Sequence, residues 1–518
     1  MKYLFSLLIC LSLLACDAET DPDGANASKS CPSVGDLTVE KSSGLGSSGR
    51  CLISGTLTVS AVLSASEKWH LNGPLNIGDG ASNPTLTIDA GVEVFGGADG
   101  SSFDYIYVAP GASINAIGST LDPIIFSSDD EDYEGSGQWG GLIIEDTLAT
   151  FGQVRLEHLI VTEAGAEVLI GNKNYADNIV LDGVHDNTFI QYIQSHDSAR
   201  DGIRLQSSES SANQARISWL LITGASRDGL SYNNFSGLVK DMLVIHRPEL
   251  YNGVSGGRAG IYASNSHSLP LFVNITLAGR DITSVNANSI NSREFGIVFA
   301  ENSSQIRIAN TLILNFRNGC YEVDGSSNLS AVSLGESDIT QSFMDGVHCG
   351  HENSGLSGNV FVPFLLRTSL EGGVLSSGVN LPALVLNNGI QFHGNSAFNF
   401  DGELNPSTAL TGTWYLNSIG GLFNDVVLNT TGGLNAFADG DTNNSDSVTS
   451  ADKDFQPLLN NSDAFFGGIN GLSIPSQGYD LTIVGAVRNS SRELANEFDG
   501  WTLQAGGVFP QEVTGFAP

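Results

Sequence analysis

Four arginines stand two residues before a glycine: Arg200, Arg227, Arg258, and Arg317 in Arg317-Asn318-Gly319. Aspartate precedes the glycine in Asp201-Gly202, Asp228-Gly229 and Asp345-Gly346. If these phrases hold one place in a repeating coil, guanidinium and carboxylate groups line one face. A basic side chain there can take the proton α to a uronate carboxylate while a second cation neutralises the acid. Suitably spaced carboxylates can instead hydrolyse a glycoside. The structural outcome is a ladder of Arg–Asp pairs between successive turns, worth about 0–1 kcal/mol for each exposed pair. The candidate catalytic set is Arg200, Asp201, Arg227, Asp228 and Arg258. His196 beside Asp197 is an isolated acid/base candidate.

A second constellation is Asp439-Gly440-Asp441-Thr442-Asn443-Asn444-Ser445-Asp446. Its oxygen side chains at Asp439, Asp441, Asn443 and Asp446 alternate on a Gly-bearing loop, as Ca²⁺ requires to gather its oxygen ligands. No closing Glu or flanking helix makes it an EF-hand, and a solvated Asx-rich turn is the alternative. Asp129-Asp130-Glu131-Asp132 is a more clustered version, whose like charges repel unless a cation or solvent intervenes. Ca²⁺ is the one cofactor implied. Trp69, Trp139, Trp219, Trp414 and Trp501 could stack on sugars where exposed. No nucleophile elbow, phosphate loop, dinucleotide fingerprint or zinc-protease helix is present.

The elements that must position these groups are short strands. Leu86–Val94 and Ile106–Ile114 share one grammar: an alternating strand, a small residue or Pro, Gly91 or Gly111, then another strand. Pro123-Ile124-Ile125-Phe126 and Gln138-Trp139-Gly140-Gly141-Leu142-Ile143-Ile144 follow. Glycines 202, 229, 260, 296, 319 and 346 then recur, most of them followed by Ile, Leu or Val. Strand–turn–strand units at such a period mark a solenoid. Glycine would stand where a positive φ or a close backbone approach is needed, and the aliphatic residue after it would point inward and stack on the next coil. The fold class expected is all-β: a parallel β-helix with N-terminal and C-terminal caps. Residues 31–355 form the helix with its N-terminal cap, and 356–518 an irregular continuation closed by a terminal cap. A separate β-domain from about residue 355 is the alternative.

These rungs and the Gln138–Ile144 phrase resemble a group of bacterial surface lipoproteins with right-handed parallel β-helix folds. Asn174-Tyr175-Ala176-Asp177-Asn178, Ile483-Val484-Gly485-Ala486 and Asp499-Gly500-Trp501-Thr502 fit the same group. The resemblance implies a fold and a surface location, but no reaction. Trp139 and Trp501 lie in its structural phrases, which makes them packing residues. Leu13-Leu14-Ala15-Cys16, after the apolar run from Tyr3, resembles the lipobox of bacterial lipoproteins. That implies a signal peptide over 1–15, lipid on Cys16 and a flexible tether over 16–30.

Four further cysteines, Cys31, Cys51, Cys320 and Cys349, suit disulfides in an exported protein. Local pairing, Cys31 with Cys51 and Cys320 with Cys349, closes the shortest loops. With 22 Lys+Arg against 56 Asp+Glu, the net charge is −34, which disfavours nucleic acid as a partner. Asp17 argues for inner-membrane retention by the enteric rule, whereas an acidic tether is a surface-export signal in other Gram-negative bacteria. The solenoid and the disulfides favour the outer surface, with a periplasm-facing orientation as the alternative. The expected protein is an outer-membrane, cell-surface lipoprotein that binds extracellular polysaccharide or other surface ligands, in adhesion for example. The alternatives are a lyase or glycoside hydrolase acting on acidic polysaccharide, and a structural spacer. Cys16→Ala should abolish palmitate incorporation and move the protein from the membrane to the soluble fraction; unchanged membrane retention would rule out this anchor.

Overall fold

The computed structural model describes residues 30–300 except 43–49, 100–101, 129–135, 148–149, 187, 208–212, 247–258, 265–269 and 279–294. Beyond residue 300 it describes the backbone of Arg307–Leu314, Gly319–Val323, Asp338–Thr340, Phe343–Asp345 and Gln391–His393. The described part of the chain is a right-handed parallel β-helix. A four-residue strand and an eight- or nine-residue strand alternate along it, and each pairs in parallel with its counterpart one coil later. The short column runs Leu142–Glu145, Ile179–Asp182, Ile203–Gln206, Leu230–Asn233 and Ile261–Ser264. The long column runs Val154–Thr162, Phe189–His196, Arg216–Thr223, Leu238–Ile245 and Leu271–Ala278.

Register places like on like. Ile106, Leu142, Ile179, Ile203, Leu230, Ile261 and Ile297 are successive partners, and all are buried in one continuous core. Each such side chain contributes about 1.5–3 kcal/mol when removed from water. Alternation along each strand turns the residues between them outward.

Each long strand bends once, and the bend makes two faces of it. At the bend stand His158, Tyr192, Trp219, Asp241 and Asn274, all with φ between 48° and 58°. The left-handed conformation costs a non-glycine residue roughly 1–2 kcal/mol, and stacking offsets it. The rings of His158 and Tyr192 lie 4.5 Å apart and those of Tyr192 and Trp219 5.8 Å apart, nearly parallel. Further along, Asn274 Nδ2 donates to Asp241 Oδ1 at 3.2 Å.

The recurrent glycines meet only the second of the two expectations placed on them. Gly202, Gly229 and Gly260 are not in the positive-φ region, unlike Gly91 and Gly111. They stand where coils touch: a Cβ on Gly202 would lie 2.3 Å from Ile222 Cγ2 and 2.8 Å from the Gly229 carbonyl oxygen. The sharp corner belongs to the aromatic and Asx residues just described, which no glycine period announces.

At the N-terminus Thr38–Lys41 pairs antiparallel with Cys51–Leu57, and the Cys31–Cys51 disulfide fastens this cap. Cys51–Leu57 is already a coil strand, paired with Trp69–Ile77. The first coil therefore starts before Leu57-Thr58-Val59, and Val59 is exposed. The expectations for Cys320–Cys349, for residues 1–29 and for the C-terminal cap lie outside the described residues. Within 356–518 only the backbone of Gln391–His393 is described, pairing in parallel with Phe343–Asp345. Gly202→Ala is expected to cost about 2–3 kcal/mol through overpacking against backbone, read as a fall in the midpoint of thermal unfolding; an unchanged midpoint would show that the coils can separate freely.

Candidate functional site

Of the Arg-x-Gly phrases, the two described with their arginines, at Arg200 and Arg227, do stack. They form the turns that lead from one long strand into the next short strand, and Arg227 N donates to Arg200 O at 3.0 Å, which sets the two turns in register. Asp177, Asp201 and Asp228 hold equivalent places, each two residues before the first inward residue of its short strand. Asp177 Oδ1 accepts Asp201 N at 3.0 Å, Asp201 Oδ1 accepts Asp228 N at 3.2 Å, and Asp228 Oδ1 accepts Ala259 N at 2.8 Å. Each carboxylate thus ties its own coil to the following one.

Two arginines neutralise the column. Arg227 grips Asp201 with Nε and Nη2 and lies 3.5 Å from Asp228. Arg204, from the short strand, reaches Asp177 at 3.1 Å and Asp201 at 3.4 Å. Ser231 Oγ donates to Asp201 at 2.6 Å. Burial pushes Asp201 upward, but the Arg227 guanidinium outweighs it and holds the carboxyl below its usual range. Burial and the charge of Asp201 raise Asp177 to about 6 and Asp228 well above the ordinary value. All three carboxylates are buried, and only Arg200 among the four described members of the sequence set is exposed. The sequence therefore identified a real column, whose carboxylates face the turn backbone. It did not single out Asp177 or Arg204. A signal for Asp177 exists in Asp-x-Ile, spaced as in Asp201-Gly202-Ile203.

The remaining candidates separate. His196 and Asp197 are fully buried; His196 Nδ1 is 2.6 Å from Thr223 Oγ1 and Nε2 is 3.4 Å from Asp197. Burial keeps this pair from meeting a polymer. Trp69 and Trp139 are buried, their indole N–H groups donating to the carbonyls of Ser64 and Thr162. Trp219 is half-buried in the corner stack, with one face of its ring against Tyr192. Arg258, Trp414, Trp501, Asp129–Asp132, Asp439, Asp441, Asn443 and Asp446 lie outside the described residues. Among the described residues, no three His, Cys, Asp or Glu side chains are grouped to hold a metal ion.

A concavity lies away from the column. A surface cleft of about 650 Å³ is lined by His70, Asn72, Ser102, Phe103, Asp104 and Gln138, with Gly73, Pro74, Gly96 and Gly97 in its wall. Asp104 rigidifies it, accepting Gly73 N at 2.8 Å and Gly97 N at 2.9 Å. Gln138 is placed by its neighbours. Trp139 fills the space beneath Gly96, where a Cβ would lie 2.9 Å from the indole. Gly140 approaches Tyr105 too closely for any side chain, and Gly141 turns with φ +98° against the Asn178 carbonyl. The Gln-Trp-Gly-Gly phrase is thus a packing device that delivers one amide to the cleft. Amides, a hydroxyl and a partly exposed ring can receive sugar hydroxyls and C–H faces.

A family model described as a pectate-lyase-like β-helix domain matches residues 55–153. No curated protein and no solved structure matches this chain. The matched segment contains the whole cleft.

Outside the column, Asp146 is buried, with Oδ1 accepting Gly152 N at 3.0 Å and Oδ2 left without a hydrogen-bond partner. Burial raises it to about 7. Its folded-state value lies above the ordinary 3.8, so the folded chain binds the proton more readily than the unfolded one. Asp146 should therefore add stability as pH falls from about 7 toward 4. Asp146→Asn is expected to flatten this pH dependence by a few kcal/mol in urea unfolding at paired pH values; an unaltered slope would show that the group is solvated.

Proposed function

We propose that this chain is a lipid-anchored β-helix of the outer cell surface that holds extracellular polysaccharide in the His70–Gln138 cleft without turning it over. One observation carries the binding reading. The concave site within the pectate-lyase-like segment offers amide, hydroxyl and ring surface, whereas the carboxylates offered for chemistry are buried in the turn ladder. An acid or base must reach the proton it moves to within hydrogen-bond distance, and Asp201 is enclosed by donors of its own chain. The anchor at Cys16, the outward orientation and an adhesive role belong to the same proposal and rest on the N-terminal sequence.

The second reading is a polysaccharide lyase. The pectate-lyase-like segment favours it, and the exposed Arg200 is the group best placed to reach a substrate. Ca²⁺ remains the cation proposed for the 439–446 loop, with binding to be tested on the whole chain.

The discriminating experiment incubates the full-length protein in detergent with neutral and anionic polysaccharides, with and without Ca²⁺. Unsaturated uronide absorbance, new reducing ends and retention on immobilised glycan are measured. The expected result is retention without product, with retention of the neutral glycans weakened about tenfold by Asn72→Ala combined with Gln138→Ala, a loss of about 1.4 kcal/mol. Product formation that Arg200→Ala or Arg227→Ala abolishes would replace the binding reading with the lyase.

A further inference from the structure

One face departs from the acidic character of the molecule. It is the outward side of the long strands before their bend. Arg155, Phe189 and Arg216 follow one another in a single outward row on consecutive coils. In the adjacent row Gln191, Ser218 and Lys240 are successive partners. These rows bring together three of the 22 Lys+Arg of a chain that has 56 Asp+Glu. The carboxylate among them is Glu157, which accepts Gln191 Nε2 at 2.8 Å. Asp241 lies 3.6 Å from Lys240 but is buried at the bend.

We propose that this face docks a linear anionic polysaccharide laid along the solenoid axis. Its sign is set locally. Charges beyond about 8 Å are screened at physiological ionic strength, so the charges an anionic chain meets on this face are those of Arg155, Arg216 and Lys240 with Glu157 among them, and not the net charge of the molecule. Its spacing is that of the coils. Arg155 and Arg216 are two rungs apart, about 9.6 Å, and a pyranose advances its polymer by about one rung, so alternate acidic units can meet the two guanidinium groups. Its chemistry between the cations is that of a sugar site. Phe189 is 39% exposed, and Arg155 Cζ lies 5.3 Å from its ring centroid. The ring holds the guanidinium over the sheet, where it pairs well with a carboxylate or sulfate. Gln191 and Ser218 offer hydrogen bonds to hydroxyls. A lipid surface rewards several inserted apolar side chains, and this flat row has one large exposed ring amid amides and hydroxyls. The face is separate from the cleft, and the inference does not depend on it.

The test uses full-length protein in detergent, with polygalacturonate, neutral dextran and vesicles containing phosphatidylglycerol as probes. Polygalacturonate is expected to bind at low salt and to be released as salt rises. Arg155→Gln combined with Arg216→Gln should weaken it about tenfold, and Phe189→Ala several-fold, with circular dichroism unchanged. Lys68→Gln, which removes an exposed cation outside these rows, should leave polygalacturonate binding intact. Absence of polygalacturonate binding, or an affinity indifferent to the arginine pair, would overturn the proposal. Tighter binding to vesicles than to polygalacturonate would overturn it in favour of a lipid surface. Loss on Gln138→Ala with no loss in the arginine pair would assign the glycan to the cleft instead.

Discussion

Every coil of this solenoid must land on the one before it in register. A shift of one residue would turn the aliphatic column outward and every polar residue of that strand inward. The parallel backbone ladder supplies attraction along the axis but is indifferent to which residue sits where. Side chains and turns therefore have to set the register, and three devices do so. Aliphatic residues stack on aliphatic residues in the core. Glycines allow contact where a Cβ would strike the neighbouring coil. Carboxylates reach from one turn to the backbone N–H of the next.

The third device explains why a row of charged residues can lie inside a turn. A buried carboxylate is costly unless paired and hydrogen-bonded. Asp201 receives Arg227, Arg204, Ser231 and the amide of Asp228. Asp177 and Asp228 share the same two guanidinium groups less fully, and their carboxyls are raised accordingly. The three carboxylates and two guanidinium groups form one coupled system, so an argument about any one Asp in isolation fails. The same arrangement separates the ladder from the cleft. One is a saturated internal network, and the other is an open wall whose shape is kept by Asp104 and Trp139.

Much of the fold was legible because it is periodic. Gly202, Gly229 and Gly260, each followed by Ile or Leu, report the coil length directly, and the aliphatic residue after each proves to be the inward one. The bend residues were not legible. His158, Tyr192, Trp219, Asp241 and Asn274 share no residue type; what unites them is the left-handed backbone and the stack they form, and both appear only when coils are superposed. The cleft was half legible. Gln138 stood out through its phrase, but His70, Asn72 and Phe103 come from other coils and have no spacing to connect them.

The architecture could be read along the chain, because repetition of a short strand with a glycine contact is a local property that survives without knowing its neighbours. The recurring Arg-Asp-Gly phrase also put Arg200 over Arg227 provided the coils kept register, and nearness along the chain let Cys31 close on Cys51. What those groups do depends on how the coils enclose them. Burial, not residue type, turned Asp201 and Asp228 into ties between coils and withdrew His196 from any surface. Likewise, only superposed coils could place Arg155, Phe189 and Arg216, which are 34 and 27 residues apart in the chain, in one outward row. Such meetings depend on loop lengths that obey no period, and a reading along the chain cannot supply them.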